Sequence, residues 1–319
     1  MSGLTMAEAE RLRRVPGASL AFFLTDRCPV GCGHCSVSAR VDGPTIRDWE
    51  LFGEVVAGVA GLPELRVVAV TGGDPFVERR GLIHAVGAFA AAGKAVVLFT
   101  SGYWARPPVP GWIRQVLELT STVYLSTDSY HAAAAAGVGP QRLRAAAETV
   151  LDAGCHLVLQ VLDEPGAIEA ARELCPTADL SVIAPLPAGR GSGLFAPAPA
   201  RPLRDFGRCG LLNSPTVRYD GRVSACCNEA VITGAGPAGL RRQVRTAADL
   251  APALAGFRAD PALTLVGRHG PAALSLLVDG PVRTICQACW AGVDRVATDP
   301  AALAAATVLA GVGAPDGAR

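Results

Sequence analysis

The sequence predicts an α/β protein built on a mostly parallel sheet. Between residues 19 and 185, short β-branched runs alternate with longer stretches of helical apolar periodicity. Several of those helical stretches end at glycine just before the next strand, as a left-handed cap requires. The strand candidates are near-continuous apolar runs, which is how strands buried on both faces read. Periodicity leaves open whether the repeats form a doubly wound sheet or a partial barrel. Either way, ligands gather at the C-terminal ends of the strands.

The strand candidates are Leu20–Thr25, Arg66–Thr71, Ala95–Thr100, Thr122–Thr127, His156–Leu162 and Leu180–Ala184. Helices are expected near Thr45–Gly61, Arg79–Gly93, Val109–Leu119, Pro140–Gly154 and Gly166–Cys175. The alternation stops at Pro185–Arg208, dense in Pro, Gly and Ala, where a domain boundary is expected. Beyond it, Thr216–Tyr219 and Arg222–Ala225 flank Asp220-Gly221, a good hairpin turn. Helices near Thr246–Phe257 and Pro261–Leu277 follow, then Cys286-Gln-Ala-Cys289. The expected division is an N-terminal extension (1–18), a core domain (19–190), a linker (191–208), a small cysteine-bearing domain (209–300) and a tail (301–319).

Half of the 319 residues are apolar and 18% are charged, so a sizeable core is available. With 29 basic and 28 acidic residues the net charge is +1, which gives no footprint for nucleic acid. The N-terminus has no apolar signal segment and no apolar run reaches spanning length, so no membrane partner is expected. Ten cysteines in such a chain read as metal ligands in a reducing cytoplasm. Lys94 is the single lysine, and it starts a strand, away from the chemistry.

Cys28, Cys32 and Cys35 stand in Cys-Pro-Val-Gly-Cys-Gly-His-Cys, directly after the first strand. Three thiolates at this spacing can hold three corners of an iron–sulfur cube and leave the fourth iron open. Structural zinc normally takes two pairs of ligands with all four positions filled. The segment resembles the C-x3-C-x2-C cluster loop of radical S-adenosylmethionine (SAM) enzymes, in which SAM chelates the open iron. That resemblance implies a partial (β/α)6 TIM-like barrel with a small C-terminal α+β auxiliary-cluster domain.

Thr71-Gly72-Gly73-Asp74-Pro75 ends the second strand, and its missing Cβ atoms admit close backbone approach. It is similar to the family's Gly-Gly-Glu stretch, so Gly72, Gly73 and Asp74 are expected at the SAM amino group. His34 occupies the position where the family carries an aromatic beside the adenine. Ser101, Ser126 and Asp128 lie at strand ends and can bond hydroxyl or ammonium groups; Ser126-Thr-Asp128-Ser-Tyr130-His131 resembles a family stretch that implies ribose contacts. His131 and Tyr130 would face the rim and touch substrate; a cap or packing role suits both equally well. Arg190 suits either the SAM carboxylate or an interdomain ion pair.

Cys209, Cys226, Cys286 and Cys289 form a second set, with Cys227 adjacent to Cys226. Their order around the hairpin looks like the twitch domain, the one-cluster relative of SPASM domains. It implies one auxiliary 4Fe–4S cluster; structural zinc is the alternative. Strand alternation sends Cys226 and Cys227 to opposite faces, and Cys226 is the expected ligand. Cys227 is then an inert thiol or a hydrogen-atom donor, and Cys155 and Cys175 read as structural.

By this resemblance the cofactors are SAM, a SAM-binding 4Fe–4S cluster and the auxiliary cluster. The expected reaction removes a hydrogen atom from a C–H bond of a natural-product intermediate or ribosomal peptide, with net oxidation. A redox-neutral epimerase and a non-catalytic Fe–S or zinc module are the rivals. Expected partners are a flavodoxin or ferredoxin-type reductant and, for a peptide, a separate leader-peptide-binding protein, since only eighteen residues precede the first strand.

Overall fold

The computed structural model describes residues 3–134 and 137–311; residues 312–319 of the expected tail lie outside them. Six parallel strands alternate with helices: β1 (Ser19–Phe23), β2 (Val67–Thr71), β3 (Ala95–Thr100), β4 (Thr122–Ser126), β5 (His156–Leu162) and β6 (Asp179–Ile183). They lie side by side in sequence order, without the reversal that a doubly wound sheet needs. The core is therefore of the partial-barrel kind. It is not closed, because β7 (Thr216–Arg218), β8 (Arg222–Ser224) and β9 (Arg241–Gln243) extend the sheet beyond β1. β7 runs parallel to β1, with Thr216 opposite Ala21 and Arg218 opposite Phe23.

The two faces of the sheet are covered differently. Phe22 on the helix side packs against Phe89 and Phe52, with ring centroids 5.2 and 6.1 Å apart. On the inner side, Val67, Val97, Tyr124 and Val158 are buried beneath Leu4, Met6 and Leu12. The helix Met6–Arg13, started by a Thr5/Glu8 capping box, thus plugs one end of the inner face. Towards the strands' C-terminal ends the same face presents Phe99, Ser126 and Gln160, all half-buried. Ser126 and Gln160 are register partners on β4 and β5.

One expectation is corrected. Pro261–Leu277 is not one helix: a helix covers Pro261–Arg268, and Gly270 at φ +83° breaks it before Pro271. A residue preceding proline is driven out of the helical region, and glycine takes the conformation that results. The helix Met6–Arg13 and the strand β9 are additional elements. Lys94 donates to the Leu62 carbonyl at 2.6 Å and is 8% exposed, a structural lysine.

The C-terminal hairpin is tied to the loop after β1 by a buried ion pair. Arg218, 1% exposed, donates to both oxygens of Asp26 at 2.7 and 3.3 Å, and the Tyr219 hydroxyl donates to Asp26 at 2.8 Å. Removing one partner of such a pair strands the other charge. Arg218→Ala is expected to destabilise the fold by about 3 kcal/mol, read from the midpoint of urea unfolding. A change below the error of that measurement would show that the pair does not hold the hairpin.

Candidate active site

The loop carrying Cys28, Cys32 and Cys35 is closed at its base by backbone hydrogen bonds. The Cys28 amide donates to the Arg40 carbonyl (2.9 Å), the Arg40 amide to Asp26 (3.2 Å) and the Asp26 amide to Pro44 (3.0 Å). The turn after β2 packs directly on this base: the Gly73 amide donates to Thr25 (2.7 Å) and the Asp74 amide to Arg27 (2.8 Å). A Cβ on Gly72, whose φ is +143°, would stand 2.5 Å from the Thr25 carbonyl, and one on Gly73 would stand 2.0 Å from that of Arg27. The paired glycines are thus required by the protein's own backbone.

The far side of the loop is held from the segment after β6. Arg190 donates through Nε to the Cys32 carbonyl (2.9 Å) and through Nη1 to the Ala39 carbonyl (2.8 Å). Its amide also donates to the Cys35 carbonyl at 3.0 Å. Gly189, at φ +55°, lets this segment in, since a Cβ there would meet the Cys35 carbonyl at 2.4 Å. Arg190 clamps the cysteine loop, and its Nη2 has no hydrogen-bond partner among the described residues.

The three thiols are brought together. Burial pushes Cys32 up to about 12, with the charges of Cys28 and Cys35 adding to it. Burial followed by Asp74 raises Cys28 to about 11. A buried thiolate set of this kind calls for a metal to hold it ionised.

Asp74 is 1% exposed and already engaged. Its oxygens accept from Ser101 Oγ (2.7 Å), the Ser101 amide (2.9 Å), Thr100 Oγ1 (3.0 and 3.1 Å) and the Phe76 amide (3.1 Å). Burial raises its pKa even against these bonds. Asp74 and Ser101 thus meet as a lock between the ends of β2 and β3.

Across the site, Asp128 joins two histidines. His131 Nδ1 lies 2.7 Å from Asp128 Oδ2, the distance of a direct hydrogen bond, and His34 Nε2 lies 3.4 Å from the same oxygen. Burial works against ionisation of Asp128, but the contacts with His131 and then His34 hold it well below the usual carboxylate range. The His34 ring packs on Tyr130 at 4.8 Å, and its Nδ1 is buried without a partner among the described residues. Ser126 stands at the end of β4 on the inner face.

Cys209, Cys226, Cys286 and Cys289 also converge. Cys289 is pushed up by burial and then by Cys226, Cys209 and Cys286. Cys286 and Cys289 occupy the first two turns of the helix Ile285–Thr298, on one face at a spacing of three. Asn228 donates to Cys286 Sγ at 3.5 Å. Cys226 is 8% exposed, whereas Cys227 is half-buried with its sulfur 3.9 Å from the Leu211 carbonyl. This set lies at the N-terminal end of β1, since Pro215 accepts from Ala21 and the charge of Arg13, just before β1, acts on Cys227. Residues 19–25 separate it from the triplet, about 20 Å at roughly 3.3 Å per residue.

Sequence reasoning missed Asp26, Arg218 and Gln160. An arginine inside Thr216-Val-Arg218 and a glutamine inside His156-Leu-Val-Leu-Gln160 were the available signals, each a polar side chain in an apolar strand. Cys155 donates to the Leu117 carbonyl at 3.1 Å and Cys175 lies 3.6 Å from Thr177 Oγ1, away from both sets.

Residues 22–162 match the family profile of the Radical SAM superfamily. Among curated proteins, the putative peptide biosynthesis protein YydG of Bacillus subtilis (strain 168) is 26% identical over 112 residues. That alignment covers 34% of this chain and 35% of YydG, so it spans about a third of that relative. The solved structure of native anSMEcpe with bound AdoMet superposes with a TM-score of 0.55 at 12% identity, over 91% of this chain and 99% of that one. SuiB of Streptococcus suis bound to its precursor peptide SuiA gives 0.53 at 12% identity, over 79% and 69%. At these identities the likeness to both structures is one of fold.

The Arg190 clamp makes a test that needs no bound group. Arg190→Ala should speed amide hydrogen exchange of residues 35–40 about tenfold or more, because two charge-assisted bonds of roughly 1.5 kcal/mol or more are lost. Lysine cannot replace the planar fork and should restore little. Unchanged exchange would mean the loop holds itself.

Proposed function

Residues 22–162 are a radical SAM domain, and from that premise we propose that the protein takes a hydrogen atom from a C–H bond of a ribosomal peptide. The observation that carries the reading is the cysteine loop at the C-terminal end of β1, boxed between Gly72–Gly73 and Arg190. The residues fit the implied groups. Three thiols converge beside an inner face whose C-terminal half is lined by Phe99, Ser126 and Gln160. A 4Fe–4S cluster on Cys28, Cys32 and Cys35, with SAM on its open iron, would supply reductive cleavage of SAM to a 5′-deoxyadenosyl radical.

The chain's own residues orient and enclose. His34 Nδ1, buried and unpartnered, suits a donor such as the adenine amino group or a ribose hydroxyl. Asp128 fixes the rings of His34 and His131, and Ser126 faces the same space. Asp74 acts through Ser101 and Thr100, holding the strand ends on which the ammonium side of SAM would rest. The peptide substrate is supported by the relatives: YydG is described as a peptide biosynthesis protein, and SuiB was solved with its precursor peptide.

We assign Cys209, Cys226, Cys286 and Cys289 to one auxiliary 4Fe–4S cluster, which would give a one-electron store for net oxidation of the substrate. Structural zinc is the alternative for the same four thiols. A second reading, redox-neutral epimerisation, is favoured by Cys227: it is a fifth thiol beside four ligands, and it is half-buried where Cys226 is buried.

Metal content after anaerobic reconstitution tests the assignment. About eight irons should fall to about four when Cys28, Cys32 and Cys35 are all replaced by alanine. About four irons plus one zinc in the parent chain would remove the auxiliary cluster. Product formed in deuterated water then separates the fates: deuterium at the reacting carbon, lost in Cys227→Ala, selects epimerisation, and its absence with a two-hydrogen mass loss selects oxidation.

A further inference from the structure

A cavity of about 1180 Å³ opens at the N-terminal end of β1, the end away from the cysteine triplet. Its floor is apolar, formed by buried side chains that include Leu20, Leu65, Leu254, Phe257 and Leu263. Its mouth is basic: Arg14, Arg208, Arg258 and Arg268 line it and all are exposed. The one acidic lining residue, Glu64, is paired with Arg258 at 3.2 Å. Arg14, Arg208 and Arg268 have no acidic partner within 4.0 Å among the described residues. In a chain whose net charge is only +1, this is a local concentration of unbalanced positive charge. Cys209, one of the four auxiliary cysteines, stands in the cavity wall.

We propose that this cavity is the docking site of an acidic one-electron carrier, of the flavodoxin or ferredoxin kind, that exchanges electrons with the auxiliary cluster. The proposal rests on the assignment of that cluster made above. Charge complementarity selects an acidic partner, because unpaired arginines around a concave apolar surface steer and hold negative charge. The position of Cys209 selects a redox partner, because one of the four cysteines stands in the cavity wall. An acidic peptide segment would match the charge. It would not account for Cys209 in the wall.

The step is a bare electron transfer. The reduced carrier loses one electron, the auxiliary cluster gains one, no bond forms or breaks, and no proton moves. Both fates of the substrate call for such a contact. Oxidation leaves the cluster one electron to discharge. Return of a hydrogen atom from Cys227 leaves a sulfur radical that takes up one electron from the carrier, through the cluster, and one proton from water.

The test uses the full chain with Cys28, Cys32 and Cys35 replaced by alanine, so that only the auxiliary site can hold iron. Reduced flavodoxin is mixed with it in a stopped-flow instrument, and bleaching of the cluster absorbance gives the rate. That rate should fall at least tenfold as salt rises from about 50 to about 500 mM. Arg14→Glu combined with Arg268→Glu should slow it at least tenfold at low salt. Reduction by photoreduced deazaflavin, a small uncharged reagent, should be the same in both chains, which shows the cluster intact. Equal flavodoxin rates with and without the charge reversals would overturn the proposal. So would an oligoglutamate peptide whose binding is lost in the double variant while the flavodoxin rate is kept, which would make the cavity a peptide site. Absence of iron in the triple-alanine chain would instead remove the auxiliary cluster, and the proposal with it.

Discussion

The candidate site depends on one buried ion pair, Arg218 with Asp26. Asp26 ends the run that forms β1 and lies two residues before the first cysteine of the triplet. Its backbone also receives the Arg40 amide and donates to Pro44, so it closes the cysteine loop at the base. Arg218 reaches it from β7, on the far side of 192 residues of chain. The pair sets where the loop begins, where the hairpin stands against β1 and, through the hairpin, where Cys226 lies. Its guanidinium also rests over the Phe23 ring at 4.6 Å, which shields the pair from water. A charged anchor in that place is specific in a way an apolar contact would not be, since a slip of the hairpin along β1 parts Arg218 from Asp26 and leaves it only Asp220, 3.4 Å away on the hairpin itself.

From that anchor the molecule resolves into two ends joined by β1. At the C-terminal end, elements far apart in sequence close on the cysteine loop: the glycine turn after β2 from one side and Arg190 after β6 from the other. At the N-terminal end, the helix Met6–Arg13 plugs the inner face and the four C-terminal cysteines gather beside it. The inner face between them is half-polar and half-buried, the character expected of a surface that receives a substrate. The two thiol sets lie at opposite ends of β1, which fixes their separation.

Much of this was legible in the sequence, and what was not has a common cause. The six core strands follow from short apolar runs bounded by glycine, because a strand buried on both faces leaves that pattern wherever it lies. The cysteine spacings are local and could be read in the same way. Long-range reciprocity could not. Gly72 and Gly73 read as making room for a ligand, while their closest neighbours are the Thr25 and Arg27 carbonyls. Asp74 reads as an ammonium acceptor, while Thr100 and Ser101 occupy its oxygens. Arg190 reads as a carboxylate or interdomain partner, while it spends two donors on loop carbonyls more than 150 residues away in sequence. In each case the sequence showed a residue's chemistry and only the fold showed its partner.

The loop between Gly72–Gly73 and Arg190 is proposed to hold the chemistry that opens SAM. 5′-Deoxyadenosine formed from SAM under strong reductant is measured for the reconstituted parent chain and for the chain with Cys28, Cys32 and Cys35 replaced by alanine. It is expected from the parent chain and not from the variant. Equal amounts from both, or none from a parent chain carrying its full iron, would contradict that proposal.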